Sequence, residues 1–465
     1  MFQKLSNNRV VYLLLFSSAS CPLNCKYCYI PKTEGMEVLN KKIIKRLNEK
    51  ELIENIKKIY GNNLKHLGLF GAEITLNTKD LNRIILIFLK KFTKLEKISL
   101  STSLLTDPNK SLELINTIAK EKKEITIRYQ ISLDGPAFIT DNNRRIGAAK
   151  KISENFFYLI NKINKINLEK TKINFTFKST LLLENINFLN KKKIRIKKYF
   201  DYFEKISERY KKENRNKNAI LFLDSTPTLT VPGKYTVEDG KNLFLFFKNL
   251  RILAKENNKK HYWKHVRKSL NNYTYRFGKL LEKKDELFTK PFIFTCTGGD
   301  ESFGLGTKNN LQICHRTFFF EDKKYINDVL SQKDIENWNI SYFKKGRIDL
   351  IKKKFFININ DKSNLSRFVY VLRNYHDFTK AKNSYIIAMV KELALAGQAD
   401  KRYLKDDNLC MMFALFINSA FSCPAENLLN TGVVHFTPIS IIRLLSNGAF
   451  NEILKDYYEN IPTRK

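Results

Sequence analysis

The sequence has few cysteines and no long apolar run. Only seven cysteines occur in 465 residues, which excludes a small fold built on disulfides. No uncharged stretch approaches the roughly 18 to 20 residues that span a bilayer, so we expect a soluble protein with no membrane partner. Hydrophobic residues still make up 43% of the chain and aromatic residues 12%. This composition predicts a globular protein of about three domains and excludes wholesale disorder.

Acidic residues are scarce beside basic ones. The chain has 46 Asp and Glu against 83 Lys and Arg, a formal net charge of +37. Such an excess suits a polyanionic partner such as nucleic acid. The lysines are spread along the chain among Asn, Ile and Phe, which also fits an AT-rich genome. Nucleic acid is therefore an open partner class but not the favoured one.

The start of the chain resembles a lipoprotein signal. Lys4 and Arg9 precede the apolar run Val10–Phe16, and Cys21 follows a stretch of small residues. The run is at the short end of the range for such signals, about 7 to 15 residues, and Ser18 stands where an aliphatic residue is wanted. We therefore interpret the run as a strand and expect no secretion.

The cysteines are unevenly placed. Three are packed together at Cys21, Cys25 and Cys28, and four lie far downstream. An odd number with a tight triplet is typical of a metal site rather than a disulfide framework. This layout favours a reducing compartment, so we predict a cytoplasmic protein.

Short apolar runs alternate with amphipathic stretches through the first half of the chain. The predicted strands are Val10–Ser17, His66–Ala72, Ile98–Ser103, Ile125–Leu133, Ile173–Lys178 and Ala219–Asp224. The predicted helices between them are Ile43–Tyr60, Thr78–Lys94, Leu112–Lys120 and Lys150–Ile166. Six such repeats predict an α/β fold with a parallel sheet, open because a closed barrel needs eight: a partial (β/α)6 barrel of the TIM type.

The rest of the chain divides at a Pro- and Gly-bearing segment, Thr226–Gly240. We predict the barrel domain over residues 1–235. Residues 236–322 are predicted to hold linker helices, including Asn242–Lys255, and a cysteine-bearing insert. Residues 323–465 are predicted to be mostly helical, for example over Ser384–Ala396 and Leu409–Phe421.

The cysteine triplet directly follows the first predicted strand. Three thiolates on one loop can hold three irons of a four-iron cluster, and the fourth iron then stays open to a small molecule. Zinc is the alternative, but structural zinc sites usually have four ligands, and no fourth Cys or His lies nearby in the sequence.

The spacing Cys21-x3-Cys25-x2-Cys28, with aromatic Tyr27 before the last cysteine, resembles the radical S-adenosylmethionine (SAM) superfamily. Other landmarks follow in the family's order. Gly71, Ala72 and Glu73 stand where the family has the Gly-Gly-Glu that binds the cofactor's amino group, with Ala replacing the second Gly.

Further matches lie after the next two predicted strands. Ser101 begins a segment that corresponds to the family's Asn-Gly-Thr-Leu-Leu-Thr, but Asn and Gly are absent here. Ser132 and Asp134 lie in Ser-Leu-Asp-Gly-Pro, and Arg144 and Arg145 follow. This pattern is similar to the peptide-modifying branch, whose Ser and Arg hold the cofactor's carboxylate.

The resemblance implies an enzyme and a mechanism. A [4Fe-4S] cluster held by three cysteines would pass one electron to SAM, and the resulting 5′-deoxyadenosyl radical would remove a hydrogen atom from the substrate. It also implies an electron donor such as flavodoxin or ferredoxin.

The distal cysteines resemble the opening of a SPASM or twitch domain. Cys296 is followed after twelve residues by Asn309 and after four more by Cys314, with Asn309 in place of the turn Gly. The resemblance implies one auxiliary [4Fe-4S] cluster, bound by Cys296, Cys314, Cys410 and Cys423. If Cys410 is not a ligand, it is a candidate hydrogen-atom donor.

Relatives with such domains modify peptides by cross-linking, epimerisation or oxidation, so a precursor peptide or protein is the expected substrate. Because Cys21 lies so near the start, we expect any leader peptide to dock elsewhere, for example on residues 323–465. An acidic leader would suit the positive charge. Asp224 is a candidate acid or base at the end of the sixth strand. Two alternatives remain: a radical enzyme acting on RNA, and a non-catalytic iron–sulfur or zinc protein that binds nucleic acid.

Overall fold

The computed structural model describes just over half of the chain. The described residues are 12–28, 30, 36–47, 49–121, 124–223, 228–230, 237–267, 302–305, 310–312 and 357–358. Asp224, Cys296, Cys314, Cys410 and Cys423 lie outside them, as do the helices predicted at Ser384–Ala396 and Leu409–Phe421. The predictions for these residues, and the predicted domain boundaries, stay predictions.

A single large sheet organises the described residues. The strands are β1 (Tyr12–Ser18), β2 (His66–Gly71), β3 (Lys97–Thr102), β4 (Thr126–Ser132), β5 (Lys172–Lys178), β6 (Thr180–Leu182), β7 (Ala219–Leu223), β8 (Thr228–Thr230), β9 (Ser302–Leu305), β10 (Asn310–Gln312) and β11 (Ile357–Asn358). The sheet order is β11-β10-β9-β1-β2-β3-β4-β5-β7, and β9 through β7 are parallel neighbours. All six predicted strands are therefore confirmed, and the α/β partial-barrel fold class with them.

Helices connect the parallel strands. They are α1 (Met36–Leu47), α2 (Lys50–Tyr60), α3 (Thr78–Lys91), α4 (Pro108–Lys120), α5 (Ala137–Asn143), α6 (Ala148–Ile163), α7 (Leu183–Asn190), α8 (Lys193–Glu213) and α9 (Val237–Glu256). The prediction of a single helix over Ile43–Tyr60 is wrong, because two helices cover this range. Helix α1 ends at Leu47, and α2 begins at Lys50 with Glu49 as its N-cap in an extended conformation. The apolar spacing continues across this break, so periodicity alone does not reveal it.

The two faces of the central strands differ. On β4, Ile127, Tyr129 and Ile131 are fully buried. The intervening Arg128 is exposed and Gln130 is partly buried, so polar side chains alternate with apolar ones. Apolar burial on one face anchors the sheet and leaves the other face partly polar, as an open barrel requires.

A seventh parallel strand, β9, lies beside β1 and was not predicted. It pairs with β1 from Tyr12↔Ser302 to Leu15↔Leu305. Strand β10 then pairs antiparallel with β9, with Leu311 opposite Leu305. The apolar start of the chain is consequently a buried internal strand between β9 and β2.

No helix in the described part of the chain is both long and apolar enough to cross a membrane. A run of three lysines, Lys191 to Lys193, lies at the start of α8. Lys191 to Lys193 are exposed there, and Lys193 pairs with Glu256 at 2.9 Å.

Candidate active site

The predicted site residues that the structure describes gather at one edge of the sheet. The cysteine loop follows β1, Gly71 ends β2 and leads into Ala72 and Glu73, and Asp134 follows β4, all at the carboxyl ends of parallel strands. In α/β barrels this edge carries the active site. Cys21 and Cys25 are partly buried, and Cys28 is exposed.

The cysteine loop is fixed by hydrogen bonds to neighbouring helices. Ala19 N donates to Asn40 Oδ1 of α1 at 2.8 Å, and Lys26 N donates to Asn143 O of α5 at 2.9 Å. Within the loop, Cys28 N donates to Cys25 O at 3.0 Å, forming a turn between the last two cysteines. The start of the loop and its middle, up to Cys28, are therefore held in place.

A buried ion pair joins the cysteine loop to β4. Arg144 Nε donates to Asp134 Oδ2 at 2.9 Å and Arg144 Nη2 donates to Asp134 Oδ1 at 3.0 Å. The Tyr27 hydroxyl donates to the same carboxylate at 2.7 Å, and Arg144 Nη2 also donates to the Tyr27 oxygen. The side chains of Arg144 and Asp134 are 6% and 0% exposed. We call this three-residue cluster of Tyr27, Asp134 and Arg144 the loop clamp.

Electrostatics keep Tyr27 and Arg144 of the loop clamp each in one protonation state. Burial and the neighbouring Asp134 carboxylate raise the pKa of Tyr27 far above its usual range, so the phenol stays protonated and donates. Burial alone would lower the pKa of Arg144, but the charge of Asp134 outweighs it, and the pKa of Arg144 is raised. At neutral pH a cationic Arg144 and a neutral Tyr27 phenol therefore both donate to Asp134.

Gly71 brings the second strand against the first. Its φ of 143° is a conformation that L side chains rarely adopt, and a Cβ there would lie 2.2 Å from the Ser18 carbonyl oxygen. The adjacent Ala72 N donates to that same oxygen at 2.7 Å. Glycine at this position thus lets the segment Gly71–Glu73 approach the base of the cysteine loop.

The Glu73 carboxylate is buried and turned towards β3. It accepts hydrogen bonds from Thr75 Oγ1 at 2.7 Å, Thr102 Oγ1 at 2.6 Å and Ser103 N at 2.8 Å. Because these donors occupy both carboxylate oxygens, Glu73 ties the ends of β2 and β3 together.

The segment after β3 has an unusual backbone. Leu104 has φ of 56°, the only positive value among the described residues other than glycine. Thr102 Oγ1 accepts from Leu104 N at 2.9 Å, and Asn155 Nδ2 of α6 donates to Leu104 O at 2.8 Å. Ser101, the predicted contact here, accepts from Gln130 Nε2 at 3.1 Å. In place of the missing Asn-Gly pair, the chain thus has a segment at Leu104 that is held by hydrogen bonds from β3 and from α6.

The remaining predicted cofactor residues lie around the loop clamp. Ser132 is the last residue of β4, partly buried, and is paired in register with Lys178 of β5. Arg145 is exposed, whereas the guanidinium fork of its neighbour Arg144 is on Asp134. The two predicted arginines therefore differ in what each presents to a ligand.

The cysteines fit an iron–sulfur cluster by the chemistry of their donors. Among the described residues, no three His, Cys, Asp or Glu side chains are close enough to hold a single metal ion. The three thiols are spaced along one loop. Thiolates are the ligands that iron–sulfur clusters take, and a buried cation beside one of them favours its anionic form.

Several residues of the site carry no signal in the sequence. Asn40 and Asn155 each hold a loop through a side-chain amide, Asn143 Nδ2 donates to Thr180 O at the start of β6, and Thr75 and Thr102 hold the Glu73 carboxylate. Asn and Thr occur throughout the chain, so only their spatial neighbours distinguish these five.

Comparison with known proteins places the cysteine loop in a family. Residues 15–187 match the model of the Radical SAM superfamily. No curated protein gives a match to the chain.

Solved structures with a similar chain course include anSMEcpe with a hexahistidine tag and bound AdoMet (19% identity, 80% of this chain and 97% of that chain, TM-score 0.39). Another is native anSMEcpe with bound AdoMet and Cp18Cys peptide (17% identity, 79% of this chain and 99% of that chain, TM-score 0.38). A third is Streptococcus suis SuiB bound to precursor peptide SuiA (12% identity, 68% of this chain and 62% of that chain, TM-score 0.36). The matched segment 15–187 contains the cysteine loop, the Glu73 segment and the loop clamp, and over these residues the chain matches the Radical SAM superfamily model.

Proposed function

We propose that this protein is a radical SAM enzyme that removes a hydrogen atom from a peptide or protein substrate. The observation that carries the proposal is the cysteine loop of the Radical SAM domain, fixed at the carboxyl edge of the parallel sheet. A [4Fe-4S] cluster bound there would supply one electron for reductive cleavage of the sulfonium of SAM.

In this proposal the chain's own residues bind and orient. Cys21, Cys25 and Cys28 would hold the cluster, which with three protein ligands would keep one iron available to the amino acid part of SAM. The backbone of Gly71 and Ala72, brought close by the tight contact with Ser18, offers carbonyl oxygens to the amino group.

The carboxylate of SAM needs a donor at the same edge. Ser132 at the end of β4 supplies a hydroxyl, and the exposed Arg145 supplies a guanidinium that can form a bidentate pair. Arg144 is the less suitable of the two arginines because Asp134 already occupies its fork.

A peptide substrate is supported by the segment around β9 and β10. These two strands form an antiparallel pair, and residues 306–309 connect them. Cys296 and Cys314 lie on either side of this pair in the sequence, at the spacing of a SPASM or twitch opening. We propose that they bind an auxiliary cluster with Cys410 and Cys423, that Cys410 donates a hydrogen atom if it is not a ligand, and that Asp224 acts as an acid or base.

The substrate class is tested by isotope transfer. The reduced enzyme, with SAM, is given a uniformly deuterated candidate precursor peptide, and 5′-deoxyadenosine is analysed by mass spectrometry. Deuterium in the 5′-deoxyadenosine supports a peptide substrate. Product formation without deuterium transfer, from this peptide and from a scrambled control, contradicts it.

The net charge of +37 favours RNA as the second candidate substrate. In that case tRNA should copurify with the protein, and its affinity should fall steeply with salt because bound cations are released. A shallow salt dependence, with no copurifying RNA, would leave the peptide as the substrate.

A further inference from the structure

Arg144 lies between a carboxylate and a cluster cysteine. Its Nε and Nη2 donate to Asp134, and Nη2 also donates to Tyr27, whereas Nη1 is directed at Cys25 Sγ, 3.8 Å away. Four of the five N–H groups that a guanidinium carries are thus engaged. The remaining Nη1–H cannot by itself form a two-bond fork on a ligand carboxylate.

We propose that Arg144 is a positioning residue that sets the reduction potential of the cluster through the Cys25 sulfur. The proposal rests on the proposed function, because it requires a cluster on the cysteine loop. It assigns Arg144 to the cluster, whereas the sequence resemblance assigned it to the carboxylate of SAM.

The sign of the effect follows from charge. Reduction adds one negative charge to the cluster, and a cation with an N–H directed at a ligand sulfur stabilises the more negative state. Hydrogen bonds to the sulfurs and the surrounding charge are known determinants of iron–sulfur potentials. Arg144 should therefore raise the potential and make the cluster easier to reduce.

Burial strengthens this interaction. The Arg144 side chain is 6% exposed, so little water screens its charge from the Cys25 sulfur. Asp134 carries the opposite charge but bonds to Nε and Nη2, whereas the sulfur is contacted by Nη1. The Cys25 sulfur is therefore in direct contact with the guanidinium and not with the carboxylate. The stabilisation of negative charge on this sulfur by Arg144 is consequently not cancelled by Asp134.

The clamp also fixes the distance between guanidinium and sulfur. Tyr27 lies between Cys25 and Cys28 in the sequence, and its hydroxyl bonds to both partners of the ion pair. Asp134 is in turn fixed by Thr180 N at 3.1 Å, and Ser179 Oγ donates to its main-chain oxygen at 2.9 Å. Because Tyr27 and Asp134 are both held in place, the position of Arg144 Nη1 relative to the Cys25 sulfur is fixed by the fold.

The experiment is a redox titration of the reconstituted full-length protein, without SAM or substrate, followed by electron paramagnetic resonance. The main variant is Arg144→Gln with Asp134→Asn. This pair removes both charges together, since removing Arg144 alone would leave a buried carboxylate without its charge partner. The control is Lys150→Gln, which removes one positive charge from a side chain that is 84% exposed.

We expect the double variant to bind as much iron as the wild type and to titrate at a more negative potential. Arg144→Lys keeps the positive charge but loses the planar guanidinium, so its reduction potential should lie between those of the wild type and the double variant. Lys150→Gln should have the reduction potential of the wild type. Unchanged potentials in both Arg144 variants at full iron content would overturn the inference.

Two results separate this inference from the proposed function. If the wild type assembles no reducible cluster at all, the proposed function fails first. If the double variant does not fold, Tyr27→Phe takes its place, because it keeps both charges and loosens only the hydroxyl contact. We then expect a smaller negative shift, and no shift would overturn the inference.

Discussion

His66 is a partly buried histidine that links stability to pH. It stacks on Tyr12 with ring centroids 3.6 Å apart, and its Nε2 is 2.6 Å from Ser99 Oγ. Burial, with the nearby charges of Lys97 and Arg128, lowers the pKa of His66 from 6.5 to about 3. The folded protein therefore keeps His66 neutral at pH values where the unfolded chain protonates it.

We expect the free energy of unfolding to fall as pH drops from about 6.5 towards 3, because only the unfolded state takes up the proton in that window. Between pH 7 and pH 4.5 the contribution of His66 is about 2 kcal/mol. Urea unfolding of the wild type and His66→Gln at both pH values measures it. An equal loss in the wild type and His66→Gln would show that His66 does not contribute.

For single residues, the sequence predicts which side chains belong to the site better than it predicts which side chains they contact. Tyr27, Asp134 and Arg144 all stand out from their motifs, but the motifs link them to a cofactor. The structure joins them to one another, across 107 positions between Tyr27 and Asp134. Such a pairing depends on how β1 and β4 are placed in the sheet, and no local pattern records it.

At the element scale, helix α6 supports the strained segment after β3. Asn155 is 4% exposed, and its Nδ2 donates to Leu104 O at 2.8 Å and Thr106 O at 3.2 Å. Replacing Asn155 with Ala removes the donor for both carbonyl groups, beside a left-handed Leu104.

Asn155→Ala should therefore destabilise the protein by about 2 kcal/mol, the usual cost of leaving buried polar groups unsatisfied. The midpoint of urea unfolding measures the loss. The matched control on the same helix is Tyr158→Phe, because the Tyr158 hydroxyl makes an exposed hydrogen bond to Asn109. Equal effects of the two substitutions would contradict a special role for Asn155.

The elements also show which structural features sequence patterns reveal. The six predicted strands lie within two residues of the observed ones because each is a short apolar run with polar ends. Strand β9 escaped prediction because Ser302–Leu305 contains only two large apolar residues. Its place beside β1 is set by long-range pairing, whereas the break between α1 and α2 is set locally at Glu49.

At the scale of the whole molecule, the proposal gives the chain two clusters. The reconstituted full-length protein should then contain about eight irons, four for each cluster. Replacing Cys296 and Cys314 together with Ala should leave about four, as should replacing Cys21, Cys25 and Cys28. Iron and protein assays on the same samples measure this. A wild-type value near four would contradict the auxiliary cluster and leave the first cluster unaffected.

The proposed function requires that the cysteine loop hold a cluster that cleaves SAM. The most direct test is to reduce the anaerobically reconstituted protein with dithionite, add SAM and measure 5′-deoxyadenosine by liquid chromatography. We predict product from the wild type and from the Cys296→Ala, Cys314→Ala variant, and none from Cys25→Ala. Absence of 5′-deoxyadenosine from wild-type protein that contains a reduced cluster would contradict the claim.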